Sequence, residues 1–257
     1  MISWKHVVPF VLALCAVAPR AHAQAMDTVT LGFRNLPFSL EPHVSELNAR
    51  LVNGNIFDTL VHRGPRHELE PALATSWRVV DTVLELKLRR GVKFHNGDVL
   101  TAEDVKFSFE RALDVSKKLT WQGPLRGIKE VQVPDGETVR VVTEKPFPAL
   151  LPRLAGFFIV PRKHVEKVGD QAFAAAPVGT GPWRVVEWKR DQHVRLEAFE
   201  GHWRGRPPFR HLVVRGLPDA GTRMAELKTG GVDLVWWPPA DVIPDLAQQP
   251  NLHINSV

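Results

Sequence analysis

Residues 84–113 decide the fold, and they read LELKLRRGVKFHNGDVLTAEDVKFSFERAL. Apolar and charged side chains alternate over the first five positions, which predicts a strand with one buried face. The Asn96-Gly97 pair in the next segment, residues 91–98, predicts a turn within an irregular connector. Thr101 then provides a side chain that can cap a helix, and two acids follow where the helix dipole favours negative charge. The stretch therefore predicts a strand, a turn and a capped helix in succession.

The helix that begins after Thr101 has one apolar face, formed by Val105, Phe109, Ala112 and Leu113. Their helical spacing indicates that this face is buried. Hairpins are predicted from three strand pairs, at residues 77–80 and 84–88, 128–133 and 138–143, and 183–188 and 194–199. Other strands are predicted at residues 29–33, 157–160, 212–217 and 232–236, with the start of another at 252–257. Other helices are predicted at residues 147–154 and 219–228, and after a Ser45 cap as far as residue 60. This mixture of elements predicts an α/β (α+β) fold.

The composition is that of an ordinary globular chain, with 257 residues, 44% hydrophobic and 24% charged. This excludes collagen, a coiled coil and a wholly disordered chain, and it allows one large domain or two small ones. Lys and Arg total 33 against 28 Asp and Glu, which gives a net charge of +5. No block of consecutive basic residues accompanies that charge, and we therefore expect no nucleic-acid partner.

Residues 1–23 have the features of a secretory signal peptide. Lys5 is followed by an apolar run over residues 7–18, and Ala-His-Ala at 21–23 fits the small-x-small pattern that precedes cleavage. The run is shorter than the ~20 residues that a membrane span needs, and a short membrane anchor is the alternative. We therefore expect export to the periplasm. Cleavage would remove Cys15, the one cysteine of the sequence, so the mature chain would hold no disulfide.

The sequence contains none of the common motifs for catalysis, metal binding or phosphate binding. It has no G-x-S-x-G, no H-E-x-x-H and no phosphate-binding G-x-x-x-x-G-K-S/T. The histidines are not spaced as metal ligands. We therefore predict a protein that is not an enzyme, with no catalytic residue, no metal site and no cofactor.

Trp236 and Trp237 follow a predicted strand and precede two prolines. Adjacent strand residues face opposite sides of a sheet, so at most one of these indoles can enter the core. The other is expected to line a groove, where a rigid aromatic ring suits the binding of peptides or other organic solutes. The alternative is that both tryptophans cap the edge of the core.

Four motifs occur in order along the chain. The first combines residues 73–77, 86–98 and 100–111, the second is PVGTGPW at 177–183, and the third and fourth are 202–208 and 231–234. Together they resemble the extracellular solute-binding proteins of family 5, the binding components of dipeptide, oligopeptide and nickel ABC importers. Gly179 and Gly181 of the second motif are expected to allow a tight turn, because glycine adopts backbone angles closed to other residues.

The resemblance implies a periplasmic-binding-protein-like type II lobe of α/β (α+β) class, into which a smaller α+β subdomain is inserted. The expected boundaries are a signal peptide at residues 1–23, a first lobe segment at 24–56, the inserted subdomain at 57–168 and a second lobe segment at 169–257. Proteins of this family resemble two lobes that close on a solute. The second lobe would follow where this chain stops, and we therefore expect it to be missing.

The resemblance also implies a periplasmic substrate-binding component of an ABC importer, which binds a peptide or similar small solute and delivers it to a membrane permease. Nickel chelates and other organic solutes are alternatives within the family, and a truncated fragment that does not transport is another. We expect a monomer. Contacts should come from loops at strand ends, and the candidate ligand-binding residues are Arg34, Asn35, Leu36, Phe38, Trp121, Arg153, Phe157, Trp236 and Trp237. Arg153 could pair with a solute carboxylate, because a guanidinium group matches a carboxylate with two hydrogen bonds.

Overall fold

A computed structural model of the protein describes residues 27–44 and 46–254. The expected signal peptide and the expected cap residue Ser45 lie outside the described residues. Within them the strands are, in chain order, β1 (Thr28–Phe33), β2 (Val61–Arg63), β3 (Leu69–Pro71), β4 (Ala74–Val80), β5 (Val83–Leu88), β6 (Ile128–Asp135), β7 (Thr138–Thr143), β8 (Trp183–Lys189), β9 (His193–Ala198), β10 (His211–Gly216) and β11 (Leu234–Val235). The α-helices are α1 (Leu47–Ile56), α2 (Ala102–Leu113), α3 (Leu150–Leu154), α4 (Arg162–Val168), α5 (Asp170–Ala175), α6 (Ala220–Thr229) and α7 (Ile243–Ala247). Short 3-10 helices lie at Val115–Lys117, Thr120–Gln122 and Ala240–Val242.

The first sheet has five strands in the order β11-β1-β10-β9-β8. Strand β1 is parallel to both β10 and β11, whereas β9 is antiparallel to its neighbours β10 and β8. Because β1 and β11 are parallel neighbours, with Gly32 opposite Val235, the loops that follow them leave the same edge of the sheet. The sheet packs against α1, α4 and α5 in a hydrophobic cluster that includes Phe33, Val52, Ile56, Val165, Phe173, Leu196 and Val214.

The second sheet has the order β4-β5-β7-β6 and is antiparallel throughout. Helix α2 packs on it through Val105 and Phe109, which are fully buried in a second hydrophobic cluster. All four strands lie between α1 and β8 in sequence, so the second sheet interrupts the chain of the first. That order is the one an inserted subdomain requires, and the boundaries at residues 57 and 168 stay predictions.

The stretch at residues 84–113 folds as its pattern predicts. Strand β5 is followed by a connector without helix, and α2 begins after Thr101 with a reciprocal cap. The Thr101 N–H donates to Asp104 Oδ2 at 2.8 Å, and the Asp104 N–H donates to Thr101 Oγ1 at 3.4 Å. The other carboxylate oxygen of Asp104 accepts the N–H of Arg162 at 2.9 Å. Asp104, which completes the cap begun by Thr101, therefore also fixes the first residue of α4.

The glycines of the second motif are required by close packing rather than by their backbone angles. Neither Gly179 nor Gly181 has a positive φ. A Cβ atom on Gly179 would overlap the carbonyl oxygen of Ile56, and one on Gly181 would lie 2.5 Å from the Ile56 carbonyl carbon. His95 of the first motif holds this turn, because its Nδ1 accepts the Gly179 N–H at 3.3 Å and its Nε2 donates to the Gly181 carbonyl at 3.0 Å. Burial lowers the pKa of His95 to about 4, which keeps the ring neutral at pH 7.

Several predicted elements differ from the structure. Residues 157–160 form no strand, and only an isolated bridge joins Phe158 to Thr59. Strand β11 has two residues instead of five, because Trp237 takes a left-handed backbone with φ 60° and the prolines after it cannot donate to a sheet. Residues 252–254 are irregular, and 255–257 lie outside the described residues. Helices α4, α5 and α7, of five to seven residues, were not predicted.

Candidate functional site

A cleft of about 850 Å³ lies at the edge of the first sheet where β1 and β11 end. Arg34 and Asn35 follow β1 directly, and Trp236 and Trp237 follow β11. We call this space the tryptophan cleft. It is lined by Phe33, Arg34, Asn35, Leu47, Asn48, Pro218, Ala220, Arg223, Trp236, Trp237, Pro238, Pro239, Ala240 and Ile243. Two loops that are 200 residues apart in sequence thus meet because their strands are parallel neighbours.

The two tryptophans form an apolar wall of this cleft. Trp236 is 40% exposed and Trp237 is 74% exposed, so neither indole belongs to the core. The structure therefore disagrees with the alternative in which both cap the edge of the core. Pro238 and Pro239 extend the apolar surface and restrict the backbone that presents it.

Polar groups of the tryptophan cleft come from two arginines and two asparagines. Arg34 is exposed and makes no ion pair with the described residues. Arg223 is 3% exposed, and its guanidinium donates to the carbonyl oxygens of Leu217 and Pro218. Its Nε atom has no hydrogen-bond partner among the described residues. The cleft thus combines aromatic surface with cationic N–H donors, which suits an organic solute that carries hydrogen-bond acceptors.

A second cleft, of about 730 Å³, is also lined in part by α1. Leu47 and Asn48 of α1 line the tryptophan cleft, whereas Arg50 of the same helix lines this one. We call it the arginine cleft. Its lining residues are Arg50, Arg63, Trp121, Gly123, Pro124, Pro152, Arg153, Ala155 and Gly156.

Trp121 in the arginine cleft is supported by a stack of rings. Its indole packs edge-on against Phe157, with ring centroids 5.2 Å apart, and Phe157 in turn stacks on His43 at 4.8 Å with 9° between the planes. His43 Nδ1 accepts from Arg111 at 3.0 Å, so its Nε2 donates to the Phe158 carbonyl at 2.9 Å. Burial lowers the pKa of His43 to about 4, and the ring is neutral at pH 7. The two rings behind Trp121, those of Phe157 and His43, are therefore uncharged at pH 7.

The nine candidate residues fall into three groups. Four of them, Arg34, Asn35, Trp236 and Trp237, line the tryptophan cleft, and two, Trp121 and Arg153, line the arginine cleft. Phe157 is fully buried, so in this structure it can only support Trp121 and cannot touch a solute. Leu36 packs against the first hydrophobic cluster, and Phe38 is 65% exposed and lines neither cleft.

Three arginines that line the clefts, Arg50, Arg63 and Arg223, were not predicted from the sequence. Arg50 stands on the exposed face of a predicted helix and Arg63 in a short strand, and no local pattern separates them from surface arginines. Arg223 follows Asp219 at the start of α6, where helical spacing gives no sign that its guanidinium is buried. Only the tertiary packing brings these groups to the clefts.

Residues 27–44 and 46–254 contain neither a cluster of metal ligands nor a membrane-spanning helix. No three His, Cys, Asp or Glu side chains converge there as a metal ion would require. No helix in that part of the chain combines the length and the apolar character needed to cross a membrane.

Comparison with known proteins shows the family. The model of "Bacterial extracellular solute-binding proteins, family 5 Middle" matches residues 68–257. The chain is 32% identical to heme-binding protein A of Haemophilus influenzae, over 73% of this chain and 39% of that protein. It is 31% identical to di/tripeptide-binding protein 4 of Pseudomonas aeruginosa, over 97% of this chain and 52% of that protein. The chain thus spans about half the length of the curated relatives it matches.

Solved structures show the same likeness in three dimensions. The periplasmic binding protein DppA from Helicobacter pylori, in complex with the peptide STSA, superposes with a TM-score of 0.80 at 28% identity, over 87% of this chain and 49% of that one. NikZ from Campylobacter jejuni, in complex with Ni(L-His), gives a TM-score of 0.81 at 27% identity, over 87% of this chain and 46% of that one. With the four motifs, the mixed fold and the match over residues 68–257, the chain belongs to the bacterial extracellular solute-binding proteins of family 5.

Proposed function

We propose that this chain forms one lobe of a secreted receptor that captures a peptide or a similar small solute and delivers it to an ABC permease. The observation that carries the proposal is the tryptophan cleft, where two parallel strands end side by side and Arg34, Asn35, Trp236 and Trp237 line one space. In open α/β sheets, ligands bind outside the carboxyl ends of strands. Family membership supports the same function, because the relatives are binding proteins for solutes.

The mechanism follows from the openness of the cleft. A solute held on one lobe keeps much of its surface in water, whereas small-molecule sites commonly bury about 70–90% of the ligand surface. A second lobe that closes over Trp236 and Trp237 would supply this enclosure. Solute bound between two lobes favours the closed form, and the closed form would be the one that docks on the permease. Neither lobe needs a catalytic group, so the receptor would not be an enzyme.

The finer proposals concern boundaries and location. Residues 1–23 would be cleaved as a signal peptide on export to the periplasm. Residues 24–56 and 169–257 would form the lobe, with 57–168 as its inserted subdomain. The receptor would act as a monomer without a nucleic-acid partner. The separation of the two sheets in sequence supports the insertion, and the periplasmic binding proteins among the structural relatives support the location.

A second candidate is a truncated product that does not transport. It is favoured by the coverage of the relatives, since the chain spans 39% of one and 52% of another. Reading the DNA after codon 257 separates the two candidates. An in-frame continuation that encodes a second lobe supports the receptor, and a stop codon at that position supports the truncated product.

Calorimetry on the protein expressed from the complete reading frame tests the receptor. A panel of di- and tripeptides and of nickel-histidine is titrated, and we expect saturable binding of at least one member. Trp237→Ala should weaken that binding about tenfold or more, because a buried aromatic contact contributes about 1–3 kcal/mol. Val115→Ala, which trims an exposed apolar side chain outside both clefts, serves as the control. Absence of binding across the panel and in a wider thermal-shift screen would contradict the proposed function.

A further inference from the structure

The arginine cleft gathers three cationic side chains and no carboxylate. Arg50, Arg63 and Arg153 are all exposed and line the same space, and the remaining lining residues are Trp121, two prolines, two glycines and an alanine. None of the three arginines makes an ion pair with a residue that the structure describes. Other arginines of the chain do form ion pairs: Arg184 and Arg215 each pair with a glutamate at 2.8 Å.

The three guanidinium groups are positioned by uncharged parts of the same wall. Arg153 donates to the Pro124 carbonyl oxygen at 2.6 Å, and Arg63 donates to the carbonyl oxygens of His67 at 3.2 Å and Pro152 at 3.4 Å. Arg50 lies against Gly156, where a Cβ atom would come 2.5 Å from its Nη2. Arg63 and Arg153 are therefore oriented before any solute binds, while none of the three positive charges has an acidic partner among the described residues.

The apolar part of the cleft lies beside these charges. Trp121 is 6% exposed and packs against Phe157. The other apolar lining residues are Pro124, Pro152 and Ala155. A bare cation would be repelled by three guanidinium groups, and a neutral solute would gain hydrogen bonds from them without the attraction between opposite charges. A carboxylate would gain charge-assisted, bidentate hydrogen bonds, which are stronger than neutral ones.

We propose that the arginine cleft makes this protein selective for solutes that carry two or more carboxylates on an apolar or planar body. The inference rests on the proposed function and specifies its substrate class. The carboxylates would bind between Arg50, Arg63 and Arg153, and the apolar part would contact Trp121 and the prolines. A metal ion would enter this site only inside a chelate whose net charge is negative.

The experiment compares two isosteric probes on the protein expressed from the complete reading frame. The tripeptide Phe-Asp-Glu carries three carboxylates, and its isostere Phe-Asn-Gln keeps only the C-terminal one. Calorimetry is run at low salt and at high salt on the unchanged protein and on Arg50→Met, Arg153→Met and the double variant. Arg190→Met is the matched control, since it removes an exposed arginine that lines neither cleft and has no ion pair with any residue the structure describes.

We expect Phe-Asp-Glu to bind at least about tenfold more tightly than its neutral isostere, and each cleft variant to weaken it by about tenfold or more. The affinity for Phe-Asp-Glu should also depend less on salt in the double variant, because fewer charged groups of the protein then contact the peptide. Arg190→Met should leave both probes unchanged. Arg63→Met provides a third cleft variant if the double variant is unfolded by circular dichroism.

Equal binding of the two probes, or equal losses in Arg50→Met and Arg190→Met, would overturn the inference while leaving the receptor function intact. Binding of neutral peptides alone would have the same meaning. If no peptide or chelate binds at all, the proposed function fails and the inference falls with it.

Discussion

Arg111 of α2 and Glu41 of the loop after β1 form a buried ion pair, with Nη1 to Oε1 at 2.8 Å and Nη2 to Oε2 at 2.7 Å. Their side chains are 1% and 7% exposed. The same guanidinium donates to Asp170 Oδ1 and to His43 Nδ1, both at 3.0 Å. Helix α2 packs on the second sheet, whereas Asp170 begins α5 beside the first. One arginine thus links the second sheet to the segments packed on the first.

Removing one partner of this pair should destabilise the protein strongly. Arg111→Met leaves Glu41 as a buried charge without its partner, and we expect a loss of about 3–5 kcal/mol in the free energy of unfolding. Urea unfolding followed by circular dichroism measures it. The double variant Arg111→Met with Glu41→Leu should recover part of the loss, because both charges are then absent. A loss below about 1 kcal/mol for Arg111→Met would show that the pair is unimportant.

The neutral state of two buried histidines should make the fold sensitive to mild acid. The pKa of His43 and of His95 is lowered to about 4, mainly by burial, from 6.5. As the pH falls, the unfolded chain therefore binds these protons first. The stability from the neutral rings is fully present above about pH 6.5, and it is lost toward pH 4 at up to about 1.4 kcal/mol per pH unit for each ring.

The measurement is the free energy of unfolding at pH 7, 6 and 5. His95→Gln should be less stable than the unchanged protein at pH 7, yet its stability should fall less steeply with acid. His62→Gln, at an exposed position, is the control and should keep the original slope. If the free energy of unfolding of His95→Gln depends on pH as steeply as that of the unchanged protein, His95 is not the neutral buried ring described here.

Two glycine-to-alanine changes should shift the free energy of unfolding in opposite directions. Gly179→Ala places a methyl group against the Ile56 carbonyl, whereas Gly54 of α1 has open space around it. We expect Gly179→Ala to cost about 1–3 kcal/mol or more through overpacking, and Gly54→Ala to stabilise by about 0.5–1 kcal/mol through helix propensity. Thermal unfolding of both variants provides the comparison. Similar shifts in the same direction would refute the close-packing role of Gly179.

The parts of this structure that sequence could predict are those with a local cause. The capped helix after Thr101 and the hairpin around Asp135 carry their signals within a few residues. The exposure of one of Trp236 and Trp237 was also predicted locally, since two adjacent strand residues face opposite sides of a sheet. The exposure of both was not predicted, because the strand ends at Val235, before either of them.

The parts that could not be predicted depend on long-range packing. Arg50 and Arg153 are a hundred residues apart, and nothing near either one indicates a shared cleft. Phe157 has the pattern of a strand residue at a cleft, but the structure buries it between His43 and Trp121. The motif predicted that Gly179 is needed at a turn. It could not predict that the reason is close packing against Ile56, because that contact exists only when both segments are folded together.

The exposure of Trp237 provides a direct test of the tryptophan cleft. At 74% it is the most exposed tryptophan among the described residues, Trp236 follows at 40%, and the others are buried or half-buried. Acrylamide should therefore quench the fluorescence of the solute-free protein mainly through these two indoles. Trp237→Phe should remove much of the quenchable, red-shifted emission, whereas Trp121→Phe, at a 6% exposed position, should leave it in place. A bound solute enclosed in the cleft should reduce quenching in the unchanged protein and have little effect in Trp237→Phe. Equal quenching in both variants would mean that Trp237 does not face the solvent-filled cleft, and the proposed site at the ends of β1 and β11 would then be wrong.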